Sequence, residues 1–114
     1  MHVVDKKISI EELSKMSEKM FGNLVKAVVD VEQGIMVVDA EFHADQEYLL
    51  LEQGSRQENL WGFNLYPAKM GSAGWIEFDS MVNLRPSQNN RSRGVDDQKT
   101  QIVIRAIVDR LVTS

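Results

Sequence analysis

The chain has no cysteine, two prolines, two histidines and aromatic side chains at only 7% of its 114 positions. Without thiols it forms no disulfide and performs no thiolate chemistry. Nowhere does it hold the roughly 18 consecutive apolar residues that a membrane span needs. Met1 to Ser9 carries Asp5, Lys6 and Lys7 before any apolar run forms, unlike an export signal, so a cytoplasmic protein without a membrane partner is expected. The phosphate loop G-x-x-x-x-G-K-[ST], the dinucleotide pattern G-x-G-x-x-G and the metalloprotease pattern H-E-x-x-H are all missing. A Ser-His-Asp triad would have to use His43, because His2 lies at the terminus, and no local pattern marks a nucleophilic serine.

Positive charge is also in short supply. The net charge of −4 argues against broad coating of nucleic acid, but it is unevenly divided. Residues 1–58 hold twelve acids and six bases, whereas residues 59–114 hold five acids and seven bases. From Asn83 to Arg93 there are three arginines and no acid, which makes this segment the natural place for an anion. With 43% hydrophobic and 26% charged residues, the chain suits a single globular domain spanning 1–114 that needs no metal or disulfide to fold.

Local patterns predict the elements. Ser9 and Glu12 have the S-x-x-E spacing of a helix start, Ile8 and Leu13 add a hydrophobic staple, and Gly22 supplies a stop, so a helix is predicted over 10–21. A short strand over 2–7 precedes it. Leu24 to Val31 and Ile35 to Phe42 are β-branched runs around Glu32, Gln33 and Gly34, which predicts a hairpin with a three-residue turn pairing Val31 with Ile35. Both of its faces are mainly apolar, so it belongs near the middle of a sheet covered on both sides. A second helix is predicted over 44–53. A second hairpin is predicted over 58–66 and 75–85, its apolar face built from Trp61, Phe63, Leu65, Ile76, Phe78, Val82 and Leu84, its polar face from Asn64, Tyr66, Glu77, Asp79, Asn83 and Arg85. Alternation puts Trp75 on that polar face, where a tryptophan either marks a contact with a ligand or another chain, a homodimer being the simplest such partner, or packs under a helix. Asp96 or Asp97 caps a last helix reaching about Val112. The order strand, helix, hairpin, helix, hairpin, helix is α+β, with a largely antiparallel sheet.

The stretches VDAEFHADQEYLLLEQGS (38–55), LWGFNLYP (60–67) and FDSMVNLRPSQNNRSRGVDD (78–97) resemble a small prokaryotic family catalogued as a domain of unknown function. The resemblance covers nearly the whole chain and implies one independent domain, with no particular chemistry attached. It also implies a turn with positive φ at Asn89, where similar sequences carry glycine.

Two clusters are candidates for function. Asp39, Glu41, His43 and Asp45 alternate, so an extended strand would send all four to one side, and Glu77 and Asp79 would join them if the hairpins are neighbours. Oxygen donors with one imidazole suit a divalent metal such as Mg²⁺ or Mn²⁺, hence a metal-dependent phosphoester hydrolase with Asp39, Glu41, His43, Glu77 and Asp79 as ligands or base. The quieter solution is a polar pair across the hairpin, Glu77 or Asp79 with Asn64, Asn83 or Arg85. The second cluster, Asn64, Asn83, Arg85, Gln88, Asn90, Arg91 and Arg93, is rich in amide and guanidinium donors that fit phosphate, carboxylate or base edges. The leading expectation is a binding module for an anionic ligand, a nucleotide or RNA. A protein-interaction or regulatory module without a small ligand is the third.

Overall fold

In a computed structural model describing residues 1–114, the chain runs β1 (His2–Val4), β2 (Ile8–Ser9), α1 (Ile10–Met20), β3 (Val25–Asp30), β4 (Ile35–Val38), α2 (His43–Glu52), β5 (Leu60–Leu65), β6 (Ile76–Glu77), α3 (Gln98–Leu111) and β7 (Val112–Thr113). Five strands form one antiparallel sheet in the order β1-β4-β3-β5-β6, and β2 pairs in parallel with β7 as a separate ribbon. The fold is the expected α+β arrangement of three helices and a mostly antiparallel sheet. No helix is long and apolar enough to cross a membrane.

Helix ends follow local chemistry. Ser9 Oγ accepts from the Glu12 N–H at 3.1 Å, and Ile8 and Leu13 are both buried in the main core, as the staple requires. Asp97, rather than Asp96, caps α3, accepting from the Lys99 N–H and the Thr100 hydroxyl. The first strand stops at Val4 instead of reaching Lys7, and α2 starts one residue earlier than predicted, at His43.

The central hairpin differs from the prediction by one residue in register. Asp30 pairs with Ile35 and Val29 with Met36, so the turn has four residues, 31–34. Asp30 is the cause: its Oδ1 accepts from the N–H groups of Glu32 and Gln33 at 2.9 and 3.0 Å, its carbonyl accepts from Gly34, and Gly34 adopts φ 69°. A one-residue shift exchanges the faces of one strand relative to the other. Val25, Ala27, Val29, Met36 and Val38 therefore share the face covered by α1 and α3, while Val28, Val37 and Leu60 face Leu50 of α2. Helices on both faces make β3 an interior strand, which is why its two faces are so apolar.

The second hairpin departs further. Only Ile76 and Glu77 pair with β5, and the chain then leaves the strand through tight turns at Met81–Asn83 and Pro86–Gln88. The inward and outward alternation reverses after Ser80. Asn83 and Arg85, expected on an open polar face, are buried, whereas Leu84, expected inside, is exposed. Trp75 lies in a turn, donating its N–H to Ser72, and is buried in the main core; the expected contact surface around it does not exist. Gly62 permits the close crossing, because a Cβ there would stand 2.6 Å from Ser80 Oγ and 2.8 Å from Val82 Cγ2. Asn89 adopts φ 61°, the left-handed turn that the glycine of similar sequences implies.

Candidate functional site: a cleft at the start of the second helix

The cluster of Asn, Gln and Arg residues divides in two. β6 is too short to pair with all of β5, so the outward backbone groups of Leu60 and Gly62 lack a strand partner. Side chains replace it. Asn83 accepts from the Gly62 N–H at 2.8 Å and donates to the Gly62 carbonyl at 2.9 Å, the two bonds a neighbouring residue would have made. Arg85 continues the repair, donating to the carbonyls of Leu60 and Gln57 while its guanidinium stacks 4.2 Å from the Trp61 ring centroid. Burial pushes the Arg85 pKa down from its usual value, with the charge of Glu47 acting the other way.

Asn90 organises the following loop. It is 3% exposed, donates to the carbonyls of Asn83, Ser92 and Gly94, and accepts from the Asp96 N–H. Gln88 donates to the Glu58 carbonyl. Four of the seven donors expected to hold a ligand are thus committed to the protein's own backbone. Arg91 is exposed, and only its backbone N–H is tied down, to Asp96. The Ser92 hydroxyl and the Arg91 N–H hold the Asp96 carboxyl below its ordinary range.

Asn64 and Arg93 lie elsewhere, in a cleft of about 310 Å³ that Lys26, Phe42, His43, Asp79, Ser80 and Met81 also line. Register builds its floor. Lys26 pairs with Asn64, and Asn64 with Glu77, so the three side chains stand in one row on the α2 face of the sheet. Asn64 donates to Glu77 Oε1 at 2.9 Å, and the Tyr66 hydroxyl donates to the same oxygen, so the polar pair across the hairpin is realised. Burial, then the bond to Glu77 and the charges of Glu77 and Asp79, push the Tyr66 phenol up. Because the donating nitrogen of Asn64 is fixed by Glu77, its other atom must be the carbonyl oxygen, which is buried and has no partner.

α2 closes one side. The cap residue Phe42 supplies no side-chain acceptor, so the first N–H groups of the helix and its positive dipole end border the cleft. His43, 8% exposed, places Nε2 at 2.8 Å from the Phe63 carbonyl. A carbonyl only accepts, so Nε2 carries the proton and Nδ1 is the lone-pair nitrogen. Burial holds the His43 pKa below its ordinary value; the Lys26 charge acts in the same direction, and the Phe63 carbonyl, Asp79 and Asn64 oppose it. Lys26 Nζ lies 5.1 Å from the Phe21 ring and 5.9 Å from the Phe42 ring. On the opposite rim Arg93 bonds Asp79 at 2.7 Å through Nε alone, leaving its two terminal amino groups for another acceptor.

The expected metal ligands do not converge. β4 ends at Val38, Asp39 turns the chain with φ 66°, and His43 already begins a helix, so the alternation through Asp39, Glu41, His43 and Asp45 is broken. Asp39 follows the end of β4 and Glu77 lies on β6, three strand spacings away across the sheet, or about 14 Å. No three His, Asp or Glu side chains form a group able to hold a metal ion. Of this set, His43 and Asp79 line the cleft, and Glu77 fixes Asn64 beside it. The sequence reading missed Lys26; its signal was a lone cation inside the apolar run Leu24 to Val31, which becomes meaningful once the strand order sets it beside Asn64.

The fold defines a small domain with an antiparallel sheet between helices and a polar cleft where one helix begins. Residues 2–111 match the family described as Protein of unknown function (DUF5674), and the chain belongs to that family. No curated protein and no solved structure matches it.

Proposed function

We propose that the protein is a binding module for a small anionic molecule, seated between Lys26, Arg93 and the N-terminal end of α2. The observation that carries this reading is the contrast in how donors are used. Asn83, Gln88 and Asn90 and the terminal nitrogens of Arg85 are spent on backbone carbonyls, whereas Lys26, Arg93 and the uncapped first turn of α2 line the cleft, with the terminal nitrogens of Arg93 uncommitted. At about 310 Å³ the cleft lies at the small end of ligand pockets. A phosphate or carboxylate with a compact substituent fits that size. An RNA strand calls for an extended cationic groove with stacking rings. Lys26 and Arg93, with Phe42 as the exposed ring beside them, suit one anionic group or a mononucleotide better than a strand. The neutral His43 ring adds an acceptor without adding positive charge.

Thermal unfolding with phosphate, small carboxylates, adenosine monophosphate and a short RNA, each added singly, tests the reading, because only ligands that favour the folded state raise the midpoint. Phosphate or a carboxylate raises it in the parent protein and fails to do so in Lys26→Ala/Arg93→Ala. A rise of the same size in that double variant, or a response to RNA alone, contradicts the proposal.

A further inference from the structure

Two large apolar side chains line the cleft beside Lys26 and Arg93 and contribute little to the fold. Phe42 occupies the N-cap of α2 with extended backbone angles and no side-chain cap bond. Ser, Thr, Asp or Asn would satisfy a helix N–H there, and phenylalanine satisfies none. Its ring belongs to neither hydrophobic core, and at 56% exposure it is the most open of the four phenylalanines. Lys26 Nζ stands 5.9 Å from that ring, near the outer limit of a cation–π contact, and lies closer to Phe21. Met81, across the cleft, is 62% exposed, more than Met1 at the chain end. Its turn is held by its neighbours, with Ser80 Oγ accepting from the Val82 N–H and Asn83 bonding Gly62. A lone exposed apolar residue is ordinary, but a ring and a thioether lining the same cation-bearing cleft form a binding surface.

We infer that the ligand is an aromatic anion, a phosphate or carboxylate joined to a flat ring, with the anion at Lys26 and Arg93 and the ring against Phe42 and Met81. The inference rests on the anion-binding reading and specifies the substituent that the reading left open. A flat ring gains more from these two residues than an aliphatic chain of similar area does. It packs against the Phe42 ring in an offset or edge-on geometry, and it meets the polarisable sulfur of Met81. Both side chains already face solvent, so nothing has to move to present them. A single ring with one anionic group also matches a cleft of about 310 Å³.

Two probe series test it, methyl, n-propyl and phenyl phosphate, and acetate, butyrate and benzoate, each titrated calorimetrically into the parent protein, Phe42→Leu, Met81→Ala and Lys26→Ala/Arg93→Ala. In at least one series the phenyl member is expected to bind roughly tenfold more tightly than the aliphatic chain, the size of one favourable aromatic contact. A gain confined to the first series identifies an aromatic phosphate, and one confined to the second an aromatic carboxylate. Phe42→Leu keeps an apolar side chain and removes the ring, so it abolishes the gain while methyl phosphate or acetate binds as before; Met81→Ala reduces it. Both residues are largely exposed, so the unliganded variants unfold at the parent's midpoint, which checks that a lost gain is not lost folding. Equal binding of phenyl and aliphatic members in both series, or a gain that survives in Phe42→Leu, overturns this inference. The anion site still stands in that case if methyl phosphate or acetate binds and Lys26→Ala/Arg93→Ala weakens it. Failure of every probe to bind the parent protein overturns both.

Discussion

The edge of β5 and the cleft beside α2 are made from the same residue types, yet one consumes them and the other leaves them free. At the edge, Asn83 and Arg85 replace a missing strand: the Asn83 amide pairs with both backbone groups of Gly62, and the terminal nitrogens of Arg85 bond the Leu60 and Gln57 carbonyls, leaving Nε as the one group without a partner. In the cleft, the Asn64 carbonyl has no partner and Arg93 spends only Nε on Asp79. Composition alone does not separate a structural asparagine from a binding one. What separates them is whether a nearby backbone group lacks a partner: the short β6 created that need at Gly62, and the full β3–β5 pairing left none at Asn64.

The sharpest way to break the contrast is Asn83→Ala. It strands the N–H and carbonyl of Gly62 in a buried setting, and urea unfolding is expected to show a loss of about 3–5 kcal/mol, two uncompensated buried groups together. A loss below about 1 kcal/mol would mean that water or another side chain takes over the edge. Gly62→Ala acts on the same crossing from the other side. Its Cβ meets Ser80 and Val82 at under 3 Å, and overpacking of this kind costs about 1–3 kcal/mol. Arg93→Ala should do the opposite of Asn83→Ala. Its ion pair with Asp79 is largely exposed, so stability changes by less than about 1 kcal/mol, while anion affinity falls roughly tenfold with the loss of a charge-assisted bond.

The smallest expected effect concerns pH. The folded-state pKa of His43 is depressed, so the unfolded chain binds the proton more readily. Its contribution to stability is complete well above pH 6.5, declines as pH falls through that unfolded value, and is exhausted below the folded one. His43→Gln keeps an N–H donor for Phe63 and removes the titration. Its unfolding free energy should vary less between pH 7.5 and 5 than that of the parent protein; identical profiles would show that His43 does not titrate differently in the folded state.

Much of the architecture was legible because it rests on periodicity and on local caps. The order of helices and hairpins, the coverage of β3 on both faces and the Ser9 cap follow from spacing within a few residues, and the turn at Asn89 from the resemblance to sequences with glycine there. The register of the first hairpin was not legible from turn length, because the Asp30 side chain binds two N–H groups and lengthens the turn by one residue. Alternation also failed after Ser80, where the chain follows the unpaired edge of β5 instead of a neighbouring strand. The cleft was half visible: Asn64 and Arg93, both singled out from the sequence, line it, but Lys26 is more than thirty positions away from either, joined to them only by strand order and a turn. The metal cluster depended on an extended chain through Asp39, which that residue's left-handed conformation interrupts.

The most direct test of the central contrast is a backbone and side-chain amide NMR titration of the parent protein with phosphate. The account predicts shifts concentrated at residues 43–46, the Asn64 side-chain amide and Arg93, with Asn83, Arg85 and Asn90 unmoved. Shifts centred on 85–91, with the start of α2 silent, would contradict it and return the anion site to the loop.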